Sequence, residues 1–123
     1  LIVEDDTFFA RQLRDRLVEH GHDVTWFVGL EKLNGSVLTG WSETDLTEEV
    51  DLRTVQVVFQ DHYFPSRSTE LSDGTLATRT FKKVHPGLRV FGMSSVSGAN
   101  ASMTQAGAVG SLRKALLGVT LRL

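Results

Sequence analysis

The sequence predicts an α/β fold: a doubly wound, five-stranded parallel sheet with helices on both faces. Short apolar runs alternate with helical patterns along the chain, and four of the runs end on polar or charged residues. Strands separated by helical segments imply right-handed crossovers, and therefore a parallel sheet buried on both sides. The 123 residues, 41% of them hydrophobic, suit a single domain, 1–123, better than two.

Taken in order, "LIV", residues 1–3, reads as the first buried strand. Residues 6–21 put Phe9, Leu13 and Leu17 at i, i+4 spacing, with Asp6 as N-cap and Gly21 as stop, so a helix follows. "HDVTWFV", residues 22–28, is the second strand, and a weaker helical pattern runs from Leu30 to about Leu38. The acidic stretch 40–53 either extends that helix or forms a long connection. The third strand is the apolar run from Val55 to Phe59, which ends on Asp61 and continues as "HYFP". Residues 67–74 are loop-like, and 75–85 form a helix that Pro86 and Gly87 terminate. Residues 88–95 are the fourth strand, running into a Ser-rich turn. Residues 98–107 are a short helix of small residues, 108–114 the fifth strand, and 115–123 the start of a last helix. Leu1 is not Met and already belongs to a strand, so the chain reads as a candidate fragment of a longer one, with an output region after residue 123.

Composition excludes several functions. A net charge of −2 and a pI near 6.1 give no general attraction to nucleic acid or anionic membranes. Arg11, Arg14 and Arg16 are interleaved with Asp15 and read as a solvated helix face. The absence of cysteine removes disulfide scaffolds, thiolate metal sites and cysteine nucleophiles, and fits a reducing cytoplasm. No export-type or membrane-length apolar segment is present, and no glycine-rich nucleotide fingerprint. His20, His22, His62 and His85 have no metal-ligand spacing, although His62 adjoins Asp61.

In an open parallel sheet, chemistry gathers at the carboxyl ends of the strands. Strand one ends in Glu4, Asp5 and Asp6, strand three in Asp61, strand four in Ser94 and Ser95, and strand five in Lys114. Carboxylates brought together repel and raise one another's pKa unless a cation joins them. A hard divalent ion such as Mg²⁺ resolves the conflict through oxygen ligands. Lys114 and Ser94 add a positive charge and a hydroxyl donor where a phosphoryl group needs them. The set suits phosphoryl transfer with Asp61 as nucleophile.

These residues resemble the receiver domains of two-component response regulators, a CheY-like, flavodoxin-like fold of strand order 2-1-3-4-5. "LIVEDD" resembles the family's first-strand acidic motif, which carries over to Glu4 and Asp5, with Asp5 as direct metal ligand. "VVFQDHYFP" resembles the phosphoacceptor segment, so the resemblance implies phosphorylation on Asp61 and a metal contact from the Tyr63 backbone carbonyl. "DG" at Asp73 and Gly74 resembles the turn before a helix, "FGMSS" supplies the switch hydroxyl Ser94, and "AGAVGSLRK" the lysine Lys114. The resemblance implies a signalling phosphoacceptor rather than an enzyme, with Mg²⁺ as cofactor. A histidine kinase or histidine phosphotransfer protein would be the donor, and an effector or output domain the reader. It implies no direct nucleic-acid or membrane contact from this domain. The readout face would be the helix at 98–107, the strand at 108–114 and the last helix, which is also a candidate for homodimerisation. Tyr63 and Val96 stand where the family tunes water access, so slow self-dephosphorylation is expected.

The chain departs from the family pattern at identifiable places. The segment between the second strand and Asp61 and the loop 66–72 are long. The family's switch aromatic falls at Ser111, and its proline after the lysine at Ala115, where a cis peptide would cost about 2.5–4 kcal/mol. These departures favour a second reading, a phosphorylation-independent interaction module on the same fold. A third, a Mg²⁺-dependent phosphatase, would instead place its Asp nucleophile on strand one.

Overall fold

The computed structural model describes residues 1–112 and Lys114; the helix expected from residue 115, and Ala115 itself, lie outside the described residues. In chain order the elements are β1 (Ile2–Val3), α1 (Thr7–Glu19), β2 (Trp26–Phe27), β3 (Gly29–Asn34), β4 (Val37–Trp41), β5 (Thr47–Asp51), β6 (Val57–Asp61), α2 (Gly74–Val84), β7 (Arg89–Met93), α3 (Ser97–Gln105) and β8 (Gly110–Leu112). Five of the strands form a parallel sheet in the order β2-β1-β6-β7-β8. This is the 2-1-3-4-5 order expected from the sequence. No described helix is long and apolar enough to cross a membrane.

The central strands look uniformly apolar because both of their faces are buried, but the faces have different partners. Ile2, Phe59 and Met93 pack with Phe9, Ala10, Leu13 and Leu17 of α1. Val3, Val58 and Val90 pack on the other side with Ala77 and Phe81 of α2 and Met103 of α3. Asp6 caps α1, its Oδ1 accepting from the Phe9 amide at 3.1 Å. The helix ends in a Schellman turn: His22 N–H donates to Leu17 O and Gly21 N–H to Val18 O, with Gly21 at φ +85°.

The helix expected over Leu30–Leu38 is not there. In its place β3, β4 and β5 form a three-stranded antiparallel sheet. Leu30, Leu33, Val37 and Leu38 satisfy a helical spacing, but they also serve two short strands, and the turn decides between them. Gly35 at φ +62° and Ser36 make a two-residue hairpin loop closed by the Asn34–Val37 pair. The acidic stretch becomes β5, and Leu30, Leu38 and Leu52 are fully buried against Phe27 and the α2 side of the core.

The second long segment docks on the first. Leu30 N–H donates to Pro65 O at 3.0 Å and Arg67 N–H to Leu30 O at 2.9 Å. Arg67 also lies over the Trp41 ring, 5.1 Å from its centroid. At the opposite end Glu43, in the β4–β5 turn, accepts from Arg11 Nε at 3.0 Å, so the meander is tied to α1 as well. Residues expected as plain loop include a 3-10 turn at Thr69–Leu71 with Leu71 buried. Asp73 then caps α2, accepting from the Leu76 amide at 2.8 Å.

Candidate functional site

The parallel register sets the site. Val3 pairs with Gln60 and Asp61 with Met93, so Glu4, Asp61 and Ser94 leave adjacent strands at one edge of the sheet. Carboxylate oxygens of Glu4, Asp5 and Asp61 lie within 4.8 Å of one another. Lys114 reaches in from beyond β8: its Nζ is 2.6 Å from Glu4 Oε1 and 3.2 Å from Asp61 Oδ1, and 5.5 Å from the centroid of the Phe9 ring.

Glu4 is fully buried and Asp61 is 4% exposed, whereas Asp5 is exposed, so two of the three carboxylates have lost most of their water. Local donors replace part of it. Asp61 Oδ1 accepts from the His62 amide at 2.9 Å, and Glu4 Oε2 from the Asp6 amide at 3.2 Å. Trp26 Nε1 holds the Glu4 main chain by donating to its carbonyl at 2.8 Å. Burial, reinforced by the neighbouring Asp61, pushes the Glu4 carboxyl up to about 8. Burial also raises the Asp61 pKa, against the pull of the Glu4 contact and the Lys114 charge. For Lys114, burial works toward a lower pKa, but Glu4 and Asp61 together outweigh it and hold the ammonium charged.

Among the described residues, one ammonium thus meets two desolvated carboxylates with Asp5 close beside them, so the described cluster holds more acidic than basic groups. A divalent cation with oxygen ligands fits this set, because it supplies the missing charge and accepts carboxylate, carbonyl and water oxygens. Ser94 is buried at the end of β7, and its Oγ accepts from the Val96 amide at 3.0 Å. Tyr63 lies two residues beyond Asp61 with an exposed side chain, edge-on to His62 at 4.4 Å between ring centroids. Ser111, on β8 opposite Gly92, is exposed and carries no ring.

Two buried side chains beside the site did not stand out in the sequence. Gln60 sits in the apolar run of β6, and Asn100 in the small-residue helix α3. Their only signal is a polar residue on an otherwise apolar face.

A carboxylate-ended parallel sheet of this order has known counterparts. One solved structure is of a response regulator from Burkholderia pseudomallei with a phosphorylated aspartic acid, calcium ion and citrate; it matches with a TM-score of 0.59 at 13% identity, covering 92% of this chain and 57% of that one. The chain has the receiver-domain fold. The receiver domain of NtrX from Brucella abortus matches with a TM-score of 0.63 at 18% identity over 96% of this chain and 90% of that one. A CheY-like receiver domain protein from Methanospirillum hungatei JF-1 matches at 0.59 and 16% identity, over 92% and 78%. The chain therefore spans a little over half of the Burkholderia protein and most of the other two. No family model and no curated protein sequence matches it. Within the receiver fold, the meander β3–β5 stands between the second and third strands of the parallel sheet, where the sequence predicted a helix.

Proposed function

We propose that this receiver fold is a phosphoacceptor of a two-component system, phosphorylated on Asp61. The observation that carries the reading is the convergence of Glu4, Asp5 and Asp61 within 4.8 Å, with Lys114 Nζ 3.2 Å from Asp61. Glu4, Asp5, Asp61 and the Tyr63 carbonyl would hold Mg²⁺, which when bound neutralises phosphoryl oxygens. Asp61 carboxylate attacks the phosphorus of a phosphohistidine in a kinase or phosphotransfer protein. The new O–P bond forms as the P–N bond breaks, and the imidazole leaves with the electron pair. Lys114 shifts from Glu4 toward the added charge, and the Ser94 hydroxyl donates to a phosphoryl oxygen. Phosphate adds about −1.5 to −2 charge, and its unequal affinity for two conformations shifts their populations and so the binding of an effector or output domain.

The exposed Ser111, without an aromatic ring, favours a second reading, a module that binds partners without phosphorylation. Incubation with a small acyl phosphate and Mg²⁺, followed by intact mass, separates the two. The parent gains the mass of one phosphate and Asp61→Asn gains none; a parent that stays unmodified in saturating donor leaves only the second reading.

A further inference from the structure

Two buried carboxamides lie on the α2/α3 side of the sheet, behind the carboxylate cluster. Gln60 is fully buried, pairs in register with Gly92, and donates from Nε2 to the Asp61 carbonyl at 2.8 Å. Asn100, 9% exposed on α3, donates from Nδ2 to the Ser94 carbonyl at 2.9 Å. Each keeps its side-chain oxygen buried with no hydrogen-bond partner among the described residues. Gly92 lets α3 approach this closely: a β-carbon there would stand 3.3 Å from Asn100 Oδ1 and 2.8 Å from the Met103 methyl.

A buried amide with its oxygen left without a hydrogen bond costs on the order of 1–3 kcal/mol. Leucine would fill either position without that cost. What an amide provides and leucine cannot is a hold on a main-chain carbonyl, and the two carbonyls held belong to Asp61 and Ser94.

We infer that Gln60 and Asn100 are positioning residues for phosphoryl transfer. Gln60 fixes the main chain of the phosphoacceptor. Asn100 fixes that of the hydroxyl which grips the phosphate, and ties it to α3, so that a shift of Ser94 moves the helix. The Val96 amide occupies an acceptor site of Ser94 Oγ, and a hydroxyl can accept and donate at once. Its hydrogen remains available to a phosphoryl oxygen, provided the main chain aims it. In a chain with Ser111 at the aromatic position, the Ser94–Asn100 bond supplies a direct link from the site to α3.

The inference rests on Asp61 as phosphoacceptor, and the test separates the two. Initial rates of phosphorylation by acyl phosphate and Mg²⁺ are read by intact mass. Asn100→Leu lowers the rate about fivefold, as expected for one neutral hydrogen bond, and changes it less than about twofold in a Ser94→Ala background. Gln60→Leu lowers it about tenfold in both backgrounds, because it acts through Asp61. Equal effects of Asn100→Leu in the two backgrounds, or an unchanged rate in Gln60→Leu, overturn the inference. The unaltered chain gives a second readout that does not depend on the variants folding. In NMR spectra with beryllofluoride and Mg²⁺, the Asn100 side-chain NH₂ resonances move together with the Ser94 amide. Movement of Ser94 without Asn100 overturns the inference, and a parent that takes up neither phosphate nor beryllofluoride overturns the phosphoacceptor reading along with it.

Discussion

Glu4 is the residue in which the electrostatic conflict of the site concentrates. Its carboxyl is fully buried and raised from 4.5 to about 8. An acid with a raised folded-state pKa stabilises the fold fully below its unfolded value, and that contribution is lost as pH climbs through the folded value. Across the window from 4.5 to about 8, the metal-free parent therefore loses melting temperature relative to Glu4→Gln, and thermal scans at several pH values check the difference. Binding of a divalent ion must displace the same proton, so Mg²⁺ affinity rises with pH across that window. Trp26 bonds the Glu4 carbonyl, and its fluorescence in a Mg²⁺ titration reports the change; an affinity flat with pH contradicts it. The acidic pair, Asp61, Ser94 and Lys114 were legible as residues because each follows an apolar run at the end of an expected strand. Which carboxylate takes the shorter lysine contact was not legible. It follows from the side-chain packing that brings Lys114 Nζ to 2.6 Å from Glu4 and 3.2 Å from Asp61. Gln60 was hidden by the same logic that exposed Asp61, since a strand buried on both faces reads as one apolar block and an amide inside it looks incidental.

At the scale of elements, α1, α2 and the parallel strands follow from local signals that agree: caps at Asp6 and Asp73, a stop at Gly21, and apolar runs with polar ends. The hydrophobic spacing of the meander β3–β5 fits a helix as well as a hairpin, so the sequence alone points to the wrong element there. The discriminating feature is Gly35–Ser36, a two-residue loop of the kind that closes hairpins. β5, whose first three residues, Thr47, Glu48 and Glu49, are exposed, has almost no hydrophobic signature and gains its strand from pairing with β4. The meander is part of the core, with Leu38 fully buried beside Phe27. Leu38→Ala costs about 2–5 kcal/mol, measured by urea denaturation. A loss under about 0.5 kcal/mol, the surface range, would mean that the meander is peripheral to folding.

For the molecule as a whole, one sheet edge gathers groups from three strand ends, those of β1, β6 and β7, and from Lys114, while the insertions pack on each other and on α1 to one side of it. If the cluster holds Mg²⁺ in the folded state only, as proposed, the ion is expected to stabilise the fold by mass action, by about 2.7 kcal/mol at a concentration one hundred times its dissociation constant. Thermal melts with and without Mg²⁺ are expected to show an upward shift in the parent and a reduced one in Asp61→Asn. The parallel sheet was legible because strands alternating with helices imply right-handed crossovers; its strand order came from the resemblance to receiver domains alone. The site was legible because that topology brings strand ends together. Every functional expectation above depends on Asp61 being the residue that takes the phosphoryl group. That role is tested most directly by phosphorylating the chain with acyl phosphate and Mg²⁺, reducing the product with borohydride, and sequencing the peptides by mass spectrometry. Homoserine is expected at position 61 and nowhere else; an unreduced Asp61, or a reduced residue elsewhere, rules out Asp61 as the phosphoacceptor.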